Sequence, residues 1–246
     1  MTKLPRFHKM MTPFSPPSFS LTGPSLGPVT GHDLKTCVIL LHGLGSNGKN
    51  LMDLGRMWHP YLPETAFFAP NAPFPYEMGP SFEEGYQWFK FDSQHPSYID
   101  QGIQKALPYL SRYIDEILDA FSLAPQKIVL AGFSQGAMMA LAFGLQFRQD
   151  IGGILAYSGG LFGSIVPSPV YPSLCLIHGE DDVVVPPRLF LESKRFLKDE
   201  GIHFKSHLLK NLSHTIDERG IDIGLTFLKT CLEGENTCLK KQKTKK

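Results

Sequence analysis

The sequence predicts an α/β fold: a mostly parallel central sheet with helices on both faces and no large separate cap domain. Two observations carry this prediction. From Thr36 onward, short β-rich apolar runs alternate with longer segments of helical periodicity, the order in which helices connect parallel strands. Within that alternation, Gly132-Phe133-Ser134-Gln135-Gly136 stands between the apolar run 128–131 and the helix-forming run 137–143, a strand–turn–helix junction. The chain has 246 residues, 42% of them hydrophobic, enough for one such domain with a sizeable core.

Residues 37–41 form the first buried strand and 66–69 the second, with a short helix over 51–58 between them. Residues 71–95 mix prolines, glycines and aromatics without period, and so read as a long excursion over the sheet edge, the kind of loop that builds binding sites. Ile103, Ala106, Leu107, Leu110, Ile114, Ile117, Leu118 and Phe121 then follow helical spacing, with Pro108 marking a kink or a restart. A strand over 127–131 leads into the junction and its helix. Strands at 153–157, 174–178 and 204–209 and helices at 188–199 and 221–232 complete the set.

The formal net charge of +1 offers no general attraction to nucleic acid or anionic membranes. Lys240, Lys241, Lys243, Lys245 and Lys246 supply much of the positive charge, so the rest of the chain is net negative. Residues 234–246 read as a solvated, disordered tail, residues 1–33, rich in Pro, Ser and Gly, as a loose arm with room for a short edge hairpin, and 34–233 as the single α/β domain. The four cysteines form no CxxC pair and have no histidines at zinc-finger spacing, so no metal site is expected. Cys37 and Cys175 fall inside strand-like runs as buried thiols. Prolines 13, 16 and 17 interrupt any signal-peptide core, and no apolar run approaches the ~18 residues of a membrane span. A cytoplasmic protein fits these features. No self-complementary pattern marks an oligomer interface.

The junction at 132–136 has the form of a nucleophile elbow. Ser134 would sit in a strained backbone conformation at the tip of the turn, and the residues two before and two after it must be nearly without side chains, as Gly132 and Gly136 are. The following helix would point its positive end at an oxyanion formed there. A serine of this kind is served by an acid and then a histidine on loops after later strands. After the strand at 174–178 comes Gly179-Glu180-Asp181-Asp182, where Asp182 is assigned as the acid and Asp181 is its competitor. Of the nine histidines, His203 and His207 lie beside or within the penultimate strand. His214, just past it, can swing over the carboxyl edge of the sheet and act as the base.

An oxyanion hole needs two N–H donors. Gln135 supplies one, and His42-Gly43-Leu44-Gly45 supplies the other, with Leu44 as the donor. The same loop matches GxGxxG over 43–48, and a phosphate loop up to Asn50, which stands where a Ser or Thr should bind magnesium. The acid that a dinucleotide site wants after the next strand is missing too, because Glu64 precedes that strand.

Taken together, Leu41-His42-Gly43-Leu44-Gly45, Ala69-Pro70-Asn71-Ala72-Pro73, Trp88-Phe89, the Gly132–Gly136 elbow, His178-Gly179 with Asp182, Val184-Val185-Pro186 and His214 resemble the phospholipase/carboxylesterase family of α/β-hydrolases, which includes bacterial carboxylesterases and acyl-protein thioesterases. The resemblance spans roughly 36–232. It implies an α/β-hydrolase fold and a serine hydrolase that cleaves short to medium acyl esters or thioesters through an acyl-enzyme, without a cofactor. Small-molecule acyl esters or thioesters, acylated proteins and lysophospholipids are the substrates it implies. Many members carry an Asp after the Trp-Phe pair, where Lys90 stands here. Dienelactone hydrolases share much of the layout but use cysteine as nucleophile. Phe74, Met78, Trp88, Phe89 and Leu161 are candidate walls of an acyl pocket, or else ordinary core. Two other readings are a lysophospholipase acting on longer chains and a non-catalytic ligand sensor on the same fold.

Overall fold

The computed structural model describes residues 14–29, 31–76 and 85–232. In chain order the elements are β1 (Ser25–Leu26), β2 (Thr36–Leu41), α1 (Gly48–Trp58), β3 (Thr65–Phe68), β4 (Phe74–Tyr76), β5 (Gly85–Gln87), α2 (Pro96–Phe121), β6 (Ile128–Phe133), α3 (Gln135–Ala142), β7 (Gly153–Tyr157), β8 (Ser173–Gly179), α4 (Pro187–Asp199), β9 (Lys205–Leu209) and α5 (Glu218–Leu232). Seven strands form one sheet in the order β1-β3-β2-β6-β7-β8-β9. All neighbours from β3 to β9 pair in parallel, and only β1 is antiparallel.

Side-chain alternation on the central strands sorts the core into two layers. Cys37, Ile39, Leu41, Ile128 and Leu130 face α2, α3 and α4, packing against Ile103, Leu110, Ile114, Leu141 and Phe190. Val38, Leu40, Val129 and Ala131 face α1 and α5, packing against Met52, Trp58, Phe227 and Leu228. With both faces covered, β2 is buried along its whole length, which is why its sequence is a continuous apolar run rather than an alternating one. Trp58 donates its indole N–H to the Ile221 carbonyl (3.0 Å) and Tyr157 its hydroxyl to that of Gly220 (2.9 Å), fastening α5 to the sheet.

Several expectations are corrected. Residues 71–95 are not wholly irregular, because β4 and β5 pair as an antiparallel ribbon, Phe74 with Gln87 and Tyr76 with Gly85. Helix α2 runs from Pro96 through Pro108 to Phe121 as one helix. Helix α1 begins earlier than expected because Asn47 caps it, its side chain accepting from the Asn50 N–H (3.0 Å). The loose arm expected before Asp33 is packed from Phe14 onward. Phe14 stacks on Phe121 (5.8 Å), Phe19 meets Phe68 and Tyr113 edge-on (5.8 and 5.6 Å), and β1 pairs with β3. The lysine tail lies outside the described residues. Among the described residues, no helix is long and apolar enough to cross a membrane.

Candidate active site

Ser134 stands between β6 and α3 with φ 54° and ψ −117°, a conformation that costs an L-residue about 1–3 kcal/mol. Neighbouring backbone imposes it. A Cβ on Gly132 would lie 2.3 Å from the Gly136 carbonyl oxygen, and one on Gly136 would lie 1.9 Å from that of Leu41. The turn therefore closes only with glycine at both places. The Ser134 N–H donates to Tyr157 O (2.9 Å), and its own carbonyl accepts from the N–H groups of Ala137 and Met138 (3.0 and 3.1 Å), so the strained residue is held from both sides.

Asp182 and His214 follow β8 and β9, at the same carboxyl edge of the sheet. His214 Nδ1 lies 2.7 Å from Asp182 Oδ2, and the carboxylate is fully buried. Oδ1 of Asp182 accepts from the N–H groups of Val184 (3.0 Å) and Val185 (2.8 Å). Asp181 is exposed, so of the two neighbouring carboxylates it is Asp182 that meets the histidine. The loop bearing His214 crosses the acid loop closely: Asp181 N–H donates to Leu212 O (2.9 Å), and a Cβ on Gly179 would lie 2.2 Å from that oxygen. The His214 ring packs on Phe133, the residue before Ser134, with centroids 4.8 Å apart. His207 is held within β9 and His203 lies at its amino end, away from this edge.

Leu44 lies in the turn after β2. Gly43, one residue earlier, stands against Ser134, since a Cβ there would lie 3.2 Å from the Ser134 Cβ. The turn is pinned by Gly45 N–H to Tyr86 O (2.9 Å) and Tyr86 N–H to Ser46 O (2.8 Å). The Gln135 N–H opens α3, where no preceding helical carbonyl can accept it. Gly43 and Gln135 thus stand on either side of Ser134 from separate elements, each held by its own scaffold.

His42 is part of that scaffold. It is fully enclosed, its Nε2 accepts from Ala72 N–H (3.0 Å), and so Nδ1 carries the proton and donates to Gly43 O (2.8 Å). Burial pushes its pKa down to about 4. An unfolded chain takes up this proton near pH 6.5. Between about 6.5 and 4 the unfolded state therefore binds more protons, and stability should fall as pH drops through that window. NMR titration of the His42 ring should give a midpoint near 4; a midpoint near 6.5 would contradict the enclosed neutral ring.

The pocket-wall candidates divide. Trp88 and Phe89 belong to the core, 0% and 2% exposed, and do not line an open pocket. Trp88 donates its indole N–H to His42 O (3.0 Å) and its backbone N–H to the Gln135 side-chain oxygen (2.8 Å), while the Gln135 amide nitrogen donates to Phe89 O (2.8 Å). This clasp, absent from the sequence reading, ties the Leu44 turn to the elbow, and its one sequence signal is the polar Gln inside an otherwise apolar elbow. Phe74 is half-buried with its ring on Tyr109 (5.5 Å), and Leu161 is half-buried. Met78 lies outside the described residues. The rim beside Asp182 is apolar: Val183 is 88% and Val184 62% exposed.

A cavity of about 1090 Å³ lies at the opposite, amino edge of the sheet, lined by Phe147, Tyr171, Phe204 and Phe227 among others. None of the serine, acid and histidine reaches it, so the reactive side chains and not the volume locate the candidate site. The glycine-rich turn holds its own helix: Gly48 N–H is taken by Asn71 Oδ1 (2.9 Å) and Asn50 N–H by Asn47. Those are donors a phosphate would need. Among the described residues, no three His, Cys, Asp or Glu side chains are grouped to hold a metal ion.

A parallel sheet carrying a serine on a strained strand–helix turn, with an Asp–His pair at the same edge, is the architecture of the α/β-hydrolase class. Residues 30–232 match the Phospholipase/Carboxylesterase family, and the chain belongs to this family of hydrolases. It is similar to acyl-protein thioesterase 1 of Emericella nidulans (30% identical, 81% of this chain and 91% of that one) and of Saccharomyces cerevisiae (29% identical, 79% and 92%). Among solved structures it is similar to esterase PE8, with 35% identity, a TM-score of 0.77, and 86% and 99% of the two chains covered.

Proposed function

We propose that this protein is a serine hydrolase that cleaves carboxylic esters or thioesters of short to medium acyl chains through an acyl-enzyme. The observation that carries the reading is the 2.7 Å contact between His214 Nδ1 and buried Asp182, at the edge where Ser134 stands strained on its turn. Asp182 holds the Nδ1 proton, leaving Nε2 to take the proton from Ser134 Oγ as the serine attacks the carbonyl. The Leu44 and Gln135 N–H groups receive the oxyanion. His214 then protonates the leaving alcohol or thiol, and water activated by the same ring releases the acid. Phe74, Leu161 and Met78 are the remaining candidates for contact with the acyl chain, and the exposed Val183-Val184 rim suits an apolar substrate. Relatives named acyl-protein thioesterases support acylated proteins among the substrates.

The test is turnover of p-nitrophenyl esters from acetate to palmitate with matched acyl-thioesters, alongside labelling by a fluorophosphonate. Labelling at Ser134 and a maximum at short to medium chains are expected. Rates still rising at palmitate would replace this preference with a long-chain, lysophospholipase-like one. A wild-type chain that neither labels nor turns over any rung would point to ligand sensing.

A further inference from the structure

His178 ends the apolar run of β8 directly behind Asp182, and no step of the acyl transfer uses it. Its side chain is fully buried, with Nε2 2.8 Å from Val185 O and 3.4 Å from Asp182 Oδ2. A carbonyl can only accept, so Nε2 carries the ring proton and the neutral ring's Nδ1 is a bare lone pair. That Nδ1 is the one buried side-chain nitrogen or oxygen without a hydrogen-bond partner among the described residues. The ring packs on Phe190 of α4, with centroids 5.5 Å apart. Burying an unpaired nitrogen is unfavourable. An apolar side chain would fill this space without that cost, so the observed bonds point to what the Nε2–H does.

We propose that His178 is a positioning residue for the acid: its Nε2–H anchors the Val185 carbonyl to β8 and flanks Asp182 Oδ2, keeping that oxygen turned to His214. This rests on the triad reading above. The connection is short. Oδ1 of Asp182 is held by the N–H groups of Val184 and Val185, so the 182–185 turn sets the carboxylate's orientation. That turn is itself tied to the sheet by the Val185 O bond to His178. Neutrality of His178 matters as well, because a second imidazolium beside Oδ2 would divide the charge that serves His214. The ionisable groups that act on His178 are Asp182, which favours its protonation, and His214, which opposes it, while burial opposes it most and lowers its pKa.

The decisive contrast uses two amide variants. His178→Gln can place an N–H near the Nε2 position, whereas His178→Asn reaches only the Nδ1 position. With rates on p-nitrophenyl butyrate normalised to fluorophosphonate-titrated sites, the Asn variant should lose kcat/KM by about 100-fold, the scale of a small misplacement of catalytic groups, with KM little changed. The acid limb of its kcat/KM profile, which reports His214, should move to lower pH because a misaligned Asp182 stabilises the imidazolium less. The Gln variant should recover most of both. If the Asn variant yields no titratable sites, His178→Phe, which keeps the packing on Phe190, takes its place with the same expectation. Normalised kcat/KM and an acid limb matching wild type in the donor-less variant would overturn the proposal. Failure of the triad reading is separate: it would show as wild-type label elsewhere than Ser134, or as turnover retained in Ser134→Ala.

Discussion

Ser134→Ala should abolish measurable ester turnover and fluorophosphonate labelling while the chain folds normally. Removing the nucleophile of a serine–histidine–acid constellation costs on the order of 10⁶ in kcat, which places the residue below the background of most assays. The fold should not suffer, because the serine side chain caps nothing at the start of α3 and the turn is held by backbone bonds to Tyr157, Ala137 and Met138. Ser134→Gly sharpens the test. Glycine adopts φ 54° without penalty, so the strain of about 1–3 kcal/mol is released, less the roughly 0.5–1 kcal/mol that glycine costs through the unfolded chain. At about 2–4 °C per kcal/mol for a chain of this size, the Gly variant should melt a few degrees above wild type while showing the same loss of activity. Undiminished turnover in a clean Ser134→Ala preparation would remove the serine from the mechanism; a Gly variant that melts below wild type would remove the strain.

The elbow was legible in the sequence because its demands are local: two glycines at fixed offsets from a serine, between a strand and a helix, state the geometry in five residues. The carboxylate and histidine that meet at this edge were legible through chain order, but Asp181 and Asp182 have the same chemistry, and only the paired Val184 and Val185 N–H groups turn one carboxylate inward. Long-range contacts were not legible. Trp88 and Phe89 read equally as pocket walls or core because composition cannot tell an aromatic over a cavity from one clasped by Gln135, a residue far along the chain. The β4–β5 ribbon escaped because three-residue strands, one containing Pro75, show no period. Residues 14–29 read as loose because their order comes from scattered anchors: Phe14 and Phe19, whose ring partners lie on β3 and α2, and the buried Leu21.

Asp182→Asn should lower kcat by about 10⁴ without unfolding the protein, the size of loss a wrong histidine tautomer produces in a serine–histidine–acid site. The structure says which way the amide must point. The oxygen at Oδ1 accepts two backbone N–H groups, so the asparagine oxygen belongs there, and its NH₂ falls where Oδ2 now faces His214 Nδ1. An N–H aimed at Nδ1 requires Nδ1 to be the acceptor. The ring proton then moves to Nε2, and the nitrogen that should take the proton from Ser134 can no longer accept it. Flipping the amide restores the tautomer only by aiming NH₂ at the Val184 and Val185 donors, which breaks both of their bonds. Asp182→Ala leaves those donors without an acceptor and should cost stability as well as rate, whereas Asp181→Asn, on an exposed side chain, should change neither. Rates normalised to active sites, read beside melting temperatures, separate the three. An Asp182→Asn enzyme within tenfold of wild type would mean that the 2.7 Å contact does not set the tautomer of His214.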